Sequence, residues 1–544
     1  MTRTLIKCGW IVSMDPAIGE LSNADILIEN DRIAAIGRNL DVGADETIDA
    51  VGMIAMPGLV NAHLHTFQTG FRAIGAEWAG GDYFKYLHGD MATRFTPEDN
   101  YLGNLVGALN QIDGGCTTLL DYCHNITSTE QAERSIDALE DSGIRAVFAL
   151  GAGKFRPDRE KLEPFEKRLN PRDRVEHFRK GRLASDDRLV TMALAVAGPH
   201  WAEMEPTRVN IRLAREFNLR SSTHATKRPH QAVDPRGYYP LLDEKLVGED
   251  HTIVHGNYLS DDELKRLIDV GVTATATVQT ELRGYAGHPL INRPRAFGIL
   301  PALGVDVEPR VSGEMFREMH VALLYAQSVE THERARDGDD YRLPPIKSRE
   351  ALAWATIGGA KALGLDKDIG SLAPGKKADI VLLRADDINV FPVYDPLITI
   401  VEQAGPQNID SVLINGVARK RAGKLLYSEN TLRRRKVDDR VRDGLEEATR
   451  TELLVRLRCS QMAQLVVCKR DGPVLLVEFW PHGIRAMGQE PLAPVERLLA
   501  IGYRLQVIER DTPGHLRPLR GIDDLAKIDL GHPQAYANLV FERG

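Results

Sequence analysis

Apolar and polar residues alternate with a period of two through residues 1–57, in TLIKCGWIVSMD, ADILIENDRIAAIG and ETIDAVGMIAMPG. That alternation predicts short strands, with turns at the Asn-Asp and Asp-Arg pairs. From Met56 the rhythm changes, and apolar runs alternate with amphipathic runs of helical period. The apolar runs end at LVNAHLH, TTLLDYCHN, IRAVFALGAG, VTMALAVAGPHW, LRSSTHAT, HTIVHGNYL, VTATATVQTE and ALGVDVE. The helical runs carry their own punctuation. Thr96 precedes Pro97 and first-turn acids, a start signal, and Gly143 closes TSTEQAERSIDALEDSG as a C-cap. Strand–helix units repeated in this way predict an α/β fold, a (β/α)8 TIM barrel over residues 58–364. Chemistry in such a barrel gathers at the C-terminal ends of the strands.

The strand rhythm returns after residue 364, in DIGSLAPGKKADIVLL and IDSVLINGVARKRAGKLL. Residues 1–57 and 365–430 are therefore expected to combine into one composite β-sandwich domain drawn from both flanks of the barrel. A charged segment opening on LRRRK reads as a helical linker over 431–465, and residues 466–544 read as a small C-terminal α/β appendage. In the appendage PVLLVEFW, RLQVIERD and YANLVFERG are strand-like and PLAPVERLLAIGY is helix-like.

Composition narrows the function classes. The chain has 544 residues, 43% hydrophobic and 27% charged, with a formal net charge of −8. That balance gives no electrostatic footprint for nucleic acid. No apolar run reaches the ~18 residues of a membrane span, so no membrane partner is expected. The N-terminal MTRTLIKCGWIVSMDPAIG reads as a first strand and turn rather than a signal peptide. The cysteines Cys8, Cys116, Cys123, Cys459 and Cys468 are unclustered, which fits a reducing cytoplasm and no disulfide framework. Cys116 and Cys123 read as small core residues.

Histidine placement carries the chemistry. His63 and His65 stand two apart at the end of the first barrel strand, so both imidazoles share a face and point into the mouth. One such pair is a weak signal. His224 ends the fifth strand, His255 the sixth and Asp306 the eighth, and ligand-type residues on four strand ends argue together for a metal site. Imidazoles with a carboxylate suit a divalent ion such as Zn²⁺ or Fe²⁺ better than Mg²⁺ or Ca²⁺.

Four stretches, MPGLVNAHLH, VHGNYLSDDEL, LGVDVEPRVSGEMFREM and DIGSLAPGKKADIVLL, carry a family resemblance. They resemble the metal-dependent amidohydrolases of the cytosine deaminase, S-adenosylhomocysteine deaminase and triazine hydrolase branch, over roughly residues 1–430. The resemblance implies that His63, His65, His224 and Asp306 hold one divalent metal ion, zinc or iron. It implies that Asp306 also accepts the proton of an activated water and passes it to the leaving group. His255 would polarise the substrate atom that bears the leaving group, or orient the attacking oxygen. The fourth strand ends in AGPHW without a lysine, so no carboxylated-lysine bridge to a second ion is expected. A small-molecule substrate and a homo-oligomer, dimer or larger, are further implications. The end of the appendage loosely resembles the last strands of FkbM-type methyltransferases, but lacks their glycine-rich cofactor loop.

The pattern departs at one place. The deaminases of this branch carry a glutamate three residues after the strand-five histidine, and it shuttles a proton; here that position is Lys227. A lysine of ordinary pKa cannot take that role. It is expected to be shifted by burial, to bind an anionic substrate group, or to point away. Glu281, Glu308 and Asp121 are alternative carboxylates near the mouth, each also readable as a cap or salt-bridge partner. His124 is a candidate substrate contact. His200 is either a substrate contact or a structural hydrogen bond. The loop after the first strand is aromatic, with Phe67, Phe71, Trp78, Tyr83, Phe84 and Tyr86 before His88, and suits a flat substrate or a packed lid.

The expected function is metal-dependent hydrolysis of a non-peptide C–N bond in a small cyclic molecule, by amidine deamination or cyclic amide hydrolysis. Two alternatives stand beside it: hydrolytic removal of another leaving group such as halide, and a non-catalytic binding protein on a decayed barrel.

Overall fold

A computed structural model describes residues 2–79, 81–89, 91–153, 164–285, 287–338 and 346–427, together with the backbone of five strands between residues 466 and 543. The chain divides into two compact units, Met1–Leu432 and Arg433–Gly544.

The first unit opens on β1 (Arg3–Val12), β2 (Glu20–Glu29), β3 (Arg32–Gly37) and β4 (Glu46–Pro57). The barrel follows as β5 (Leu59–Leu64), β6 (Cys116–Ile126), β7 (Arg145–Ala152), β8 (Val190–Val196), β9 (Arg220–Ala225), β10 (His251–His255), β11 (Thr273–Ala276) and β12 (Ala302–Leu303). All neighbouring barrel strands are parallel, in chain order from β5 to β12. These are the eight strands that the apolar runs predict. β6 is buried at every position, as expected of a strand covered on both faces.

The chain then returns to the first sheet with β13 (Ile380–Arg384), β14 (Ile409–Ile414), β15 (Val417–Arg421) and β16 (Lys424–Leu425). Strands from both flanks share one eight-stranded sheet of order β16-β15-β14-β13-β4-β1-β2-β3. The join is β13 against β4, antiparallel from Ile380–Pro57 to Arg384–Met53. Ile6, Ile26, Ile33, Leu382 and Leu413 form a core within this sheet. A buried ion pair ties the sheet to the barrel: Arg145 of β7 donates to Asp379, beside β13, at 2.9 and 3.1 Å.

The helices begin and end where the side chains dictate. In α1 (Pro97–Asp113) the Thr96 side chain accepts from Asp99 N while Asp99 accepts from Thr96 N, a capping box worth about 1 kcal/mol. α2 (Thr129–Ser142) starts at the Ser128 cap and stops at Gly143, whose φ of 74° a side chain would resist.

Barrel closure is unusual. A single parallel bridge, Leu64 to Asp306, joins the first strand to the segment after β12. Asp306 N donates to His63 O, and His65 N to Asp306 O, both at 2.9 Å. Asn61 substitutes a side chain for part of the missing ladder: its Oδ1 accepts from Val305 N at 3.1 Å, and its Nδ2 donates to Gln111 of α1 at 3.0 Å. Gly304 permits the approach, since a Cβ there would fall 2.7 Å from the His63 carbonyl oxygen.

The second unit has an antiparallel sheet of Val466–Lys469, Gly472–Phe479, Tyr503–Ile508, Leu516–Pro518 and Ala537–Arg543. The three strand-like stretches of the appendage coincide with strands of this sheet. The expected linker over 431–465 and the helix in PLAPVERLLAIGY lie outside the described residues. Among the described residues no helix is long and apolar enough to cross a membrane.

Candidate active site

Side-chain alternation at the end of β5 sends His63 and His65 inward. There they meet His224 of β9 and Asp306, which follows β12. One ligand-type atom from each of these residues lies within 4.8 Å of the others. His63 Nε2 stands 3.1 Å from His224 Nε2 and 3.3 Å from Asp306 Oδ1, and His65 Nε2 stands 3.4 Å from the same oxygen.

The protonation states suit a cation. Burial pulls the His63 pKa down to about 4, leaving a neutral imidazole. Burial pushes Asp306 upward, but hydrogen bonds with His63 and His65 outweigh it and hold the carboxyl well below its ordinary value. His65 Nδ1 lies 2.8 Å from the Tyr122 carbonyl, which fixes the proton there and leaves Nε2 as an acceptor. Four ligands held tetrahedrally at about 2.0–2.1 Å from one ion stand about 3.3–3.4 Å apart. Three of the six spacings, at 3.1–3.4 Å, lie close to that edge, so this donor set fits a zinc-sized ion.

His255 ends β10 beside this cluster. Its Nδ1 lies 3.2 Å from Glu281 Oε1 and 3.1 Å from Thr277 Oγ1, leaving Nε2 for the cavity. Burial works against a charge on His255, but the Glu281 bond and the Asp306 charge outweigh it and raise its pKa. His255 and Asp306 have φ of 72° and 71°. Side chains resist this left-handed region, and residues held there mark functional positions. Neither residue owes its aim to regular strand geometry.

Above the cluster lies a cavity of about 1010 Å³, counted out to its open mouth. His65, His124, His224, His255 and Asp306 line its floor. His124 stacks on His65 with ring centroids 4.2 Å apart. A π-helical turn, Tyr83–His88, brings Tyr83, Phe84 and His88 to the wall. Phe84 and Trp201 pack with centroids 5.4 Å apart. Tyr285, Arg168, Asn170 and Arg310 complete the wall.

The structure does not bring four of the sequence-predicted residues to this wall. Glu281 is fully buried; the helix Val278–Gly284 starts straight after β11 and turns its carboxylate back onto Thr277, His255 and Asn257. Lys227 lies over the Trp201 ring at 4.1 Å, and partial burial lowers its pKa. His200 is buried and accepts from Lys227 N at 3.0 Å, while burial and the Lys227 charge pull its pKa to about 4. Trp78 is half-buried and tilts against Tyr86 at 5.6 Å. The other carboxylates are also occupied. Asp121 takes up Asn104 at 2.8 Å, and Glu308 takes up Arg72 at 2.7 Å. Trp201, Tyr285, Arg168 and Arg310 were not singled out from sequence. Trp201 and Arg310 follow the conspicuous His200 and Asp306 within the same motifs, which was the available signal.

A barrel with its ligand-type residues at the C-terminal strand ends defines the class of metal-dependent hydrolases acting on small molecules. A sequence model described as Amidohydrolase family matches residues 54–419, and the chain belongs to that family. It acts as a hydrolase on carbon–nitrogen bonds other than peptide bonds. The chain is 28% identical over 423 residues to a 5-methylthioadenosine/S-adenosylhomocysteine deaminase of Thermoanaerobacter pseudethanolicus, covering 76% of this chain and 92% of that one. It is 27% identical over 460 residues to a 5'-deoxyadenosine deaminase of Methanobrevibacter smithii, covering 82% and 99%. Among solved structures it is similar in fold to a zinc-bound adenosine deaminase of Xanthomonas campestris, with TM-score 0.66, 21% identity and coverage of 81% and 99%. It is similar also to the atrazine chlorohydrolase of Arthrobacter aurescens with zinc, with TM-score 0.67, 24% identity and coverage of 79% and 99%.

Proposed function

We propose that this chain is a zinc-dependent deaminase of an amidine carbon in a small cyclic molecule, with His63, His65, His224 and Asp306 holding one ion. The observation that carries the reading is the convergence of three Nε2 atoms and Asp306 Oδ1 at 3.1–3.4 Å. The deaminases of adenosine-containing molecules among the relatives support it. When bound, the ion supplies a Lewis acid and a water acidified to near neutrality. Asp306, held ionised, accepts that proton at its carboxylate and hands it to the leaving nitrogen. His255 presents Nε2 to the substrate while Glu281 fixes its ring and tautomer. Lys227 rests on Trp201 and stays out of the proton transfer, so the duty that a glutamate has in the deaminases the chain resembles falls to Asp306 and His255. Phe84, Trp201 and Tyr285 offer faces to a flat ring.

The test is elemental analysis combined with ammonia release from aminopurines, aminopyrimidines and aminotriazines. One zinc per chain and ammonia as product are expected; iron in its place would change the metal assignment. Halide or carboxylate without ammonia would sink deamination. Halide removal is the second reading, favoured by Lys227 because a chloride leaves with less proton delivery. We further propose a cytoplasmic homo-oligomer, with residues 1–57 and 365–430 as a supporting domain and 466–544 as an accessory unit. Light scattering checks the oligomer.

A further inference from the structure

Arg310 stands four residues after Asp306 and lines the same cavity, beside Gly284 and Tyr285. A guanidinium carries a permanent charge and five N–H donors, so placing it in a cavity wall calls for an acceptor. Its Nε is buried without any hydrogen-bond partner. No ion pair or side-chain hydrogen bond among the described residues takes up the remaining nitrogens. Glu308, the carboxylate nearest in sequence, is held by Arg72 at 2.7 Å and Asn110 at 3.3 Å. Burial raises the phenols of Tyr83 and Tyr285, and the charge on Arg310 pulls against that rise in both, which puts the guanidinium close to the two rings. Asp306 is the only carboxylate on the cavity wall among the described residues. Arg168 lines the same cavity but is engaged with the Gly153 carbonyl. The wall therefore has a surplus of positive charge before any ion adds its own.

We propose that Arg310 is a carboxylate-recognition site, and that the cyclic substrate carries an acid group that docks on its guanidinium while the C–N bond lies over His255 and Asp306. This rests on reading the cavity as the hydrolase site. An unpaired guanidinium costs the free protein stability and returns nothing until an anion arrives. A carboxylate suits it in shape, two oxygens against a planar fork, and in charge, one against one. A phosphate ester carries more charge than this one cation neutralises.

Binding to the zinc-loaded full chain tests the proposal without turnover. Benzoate, benzamide and phenyl phosphate share a ring and differ in the group presented. Calorimetry should find benzoate at least about tenfold tighter than benzamide, the worth of one charge-assisted fork. R310M and R310Q should each abolish that preference. Because a carboxylate can also sit on an ion, the titration is repeated on metal-stripped protein, where the preference should persist. Equal binding of benzoate and benzamide by wild-type protein overturns the proposal, even if the variants do not fold. A preference that survives in R310M, or disappears with the metal, also overturns it. Phenyl phosphate binding tighter than benzoate overturns the carboxylate assignment. Metal content and ammonia release are measured separately, so failure of the hydrolase reading is distinguishable from failure of this one.

Discussion

The floor of the cavity puts His63, His65, His224 and Asp306 at or just beyond strand ends, whereas Phe84, Trp201, Tyr285 and Arg310 of the wall sit on turns and loops. At the floor the backbone does the positioning. Parallel strands with fixed register bring side chains from distant sequence together, and only groups compatible with one cation face each other. At the wall the positioning comes from packing of loop on loop: Phe84 on Trp201, Trp201 under Lys227, Tyr83 against His88. The floor can therefore fix the type of reaction while the wall selects the molecule that undergoes it. A substitution in one should leave a different kinetic signature from a substitution in the other.

The largest expected effect lies at the floor. The double variant H63A/H65A, or D306N alone, should lower kcat/KM by at least about a thousandfold, with zinc content falling in the double variant. Retained activity with full metal content would erase the distinction between floor and wall. Glu281 comes next, standing behind the floor. E281Q should lower kcat by about 10–100-fold while KM and zinc content hold, and should shift the pH–rate profile by altering what holds His255. A change confined to KM would move Glu281 to the wall.

At the wall, W201A should raise KM by about tenfold with kcat little changed, because an aromatic face is lost and no proton carrier is touched. K227M is expected to change kcat/KM by less than about threefold in a steady-state assay. A hundredfold loss would make Lys227 part of the chemistry. The smallest effect is on stability. Burial pushes the Glu318 carboxyl, which accepts from Val278 and Gln279, up to about 8. A carboxyl raised in the folded state contributes stability that is present in full below its unfolded pKa of about 4.5 and lost as pH rises through 8. Melting temperatures of wild type should fall across that interval, and E318Q should flatten this part of the slope.

The same contrast explains what could be read in the chain. Strand periodicity is local, so all eight barrel strands were legible, and with them the strand-end positions of His63, His65 and His224. The φ of His255 and Asp306 was not legible, because a bulky residue gives no sign that tertiary contacts will hold it in the left-handed region. From sequence, Glu281 stands as a carboxylate near the mouth, open to substrate or to a cap. A helix beginning at Val278 instead curls it one turn back under Thr277, a boundary that Val-Gln-Thr-Glu does not announce. Lys227 was visible as an anomaly but its resting place was not, since Trp201 comes from another loop. Trp201 itself was masked by its neighbour His200, the more conspicuous residue of the pair.

The closure between β5 and Asp306 has a consequence for how the molecule comes into being. The contacts that sew the barrel shut, from Leu64 to Asp306 and from Asn61 to Val305, alternate in sequence with the residues proposed to hold the ion. A chain still emerging from the ribosome owns His63 and His65 long before it owns their partner across the seam. It has no four-donor set to offer until the last barrel strand has docked. Metal uptake would then report closure of the barrel, and a chelator would loosen the molecule first along this one line, much as drawing a pin frees a hinge.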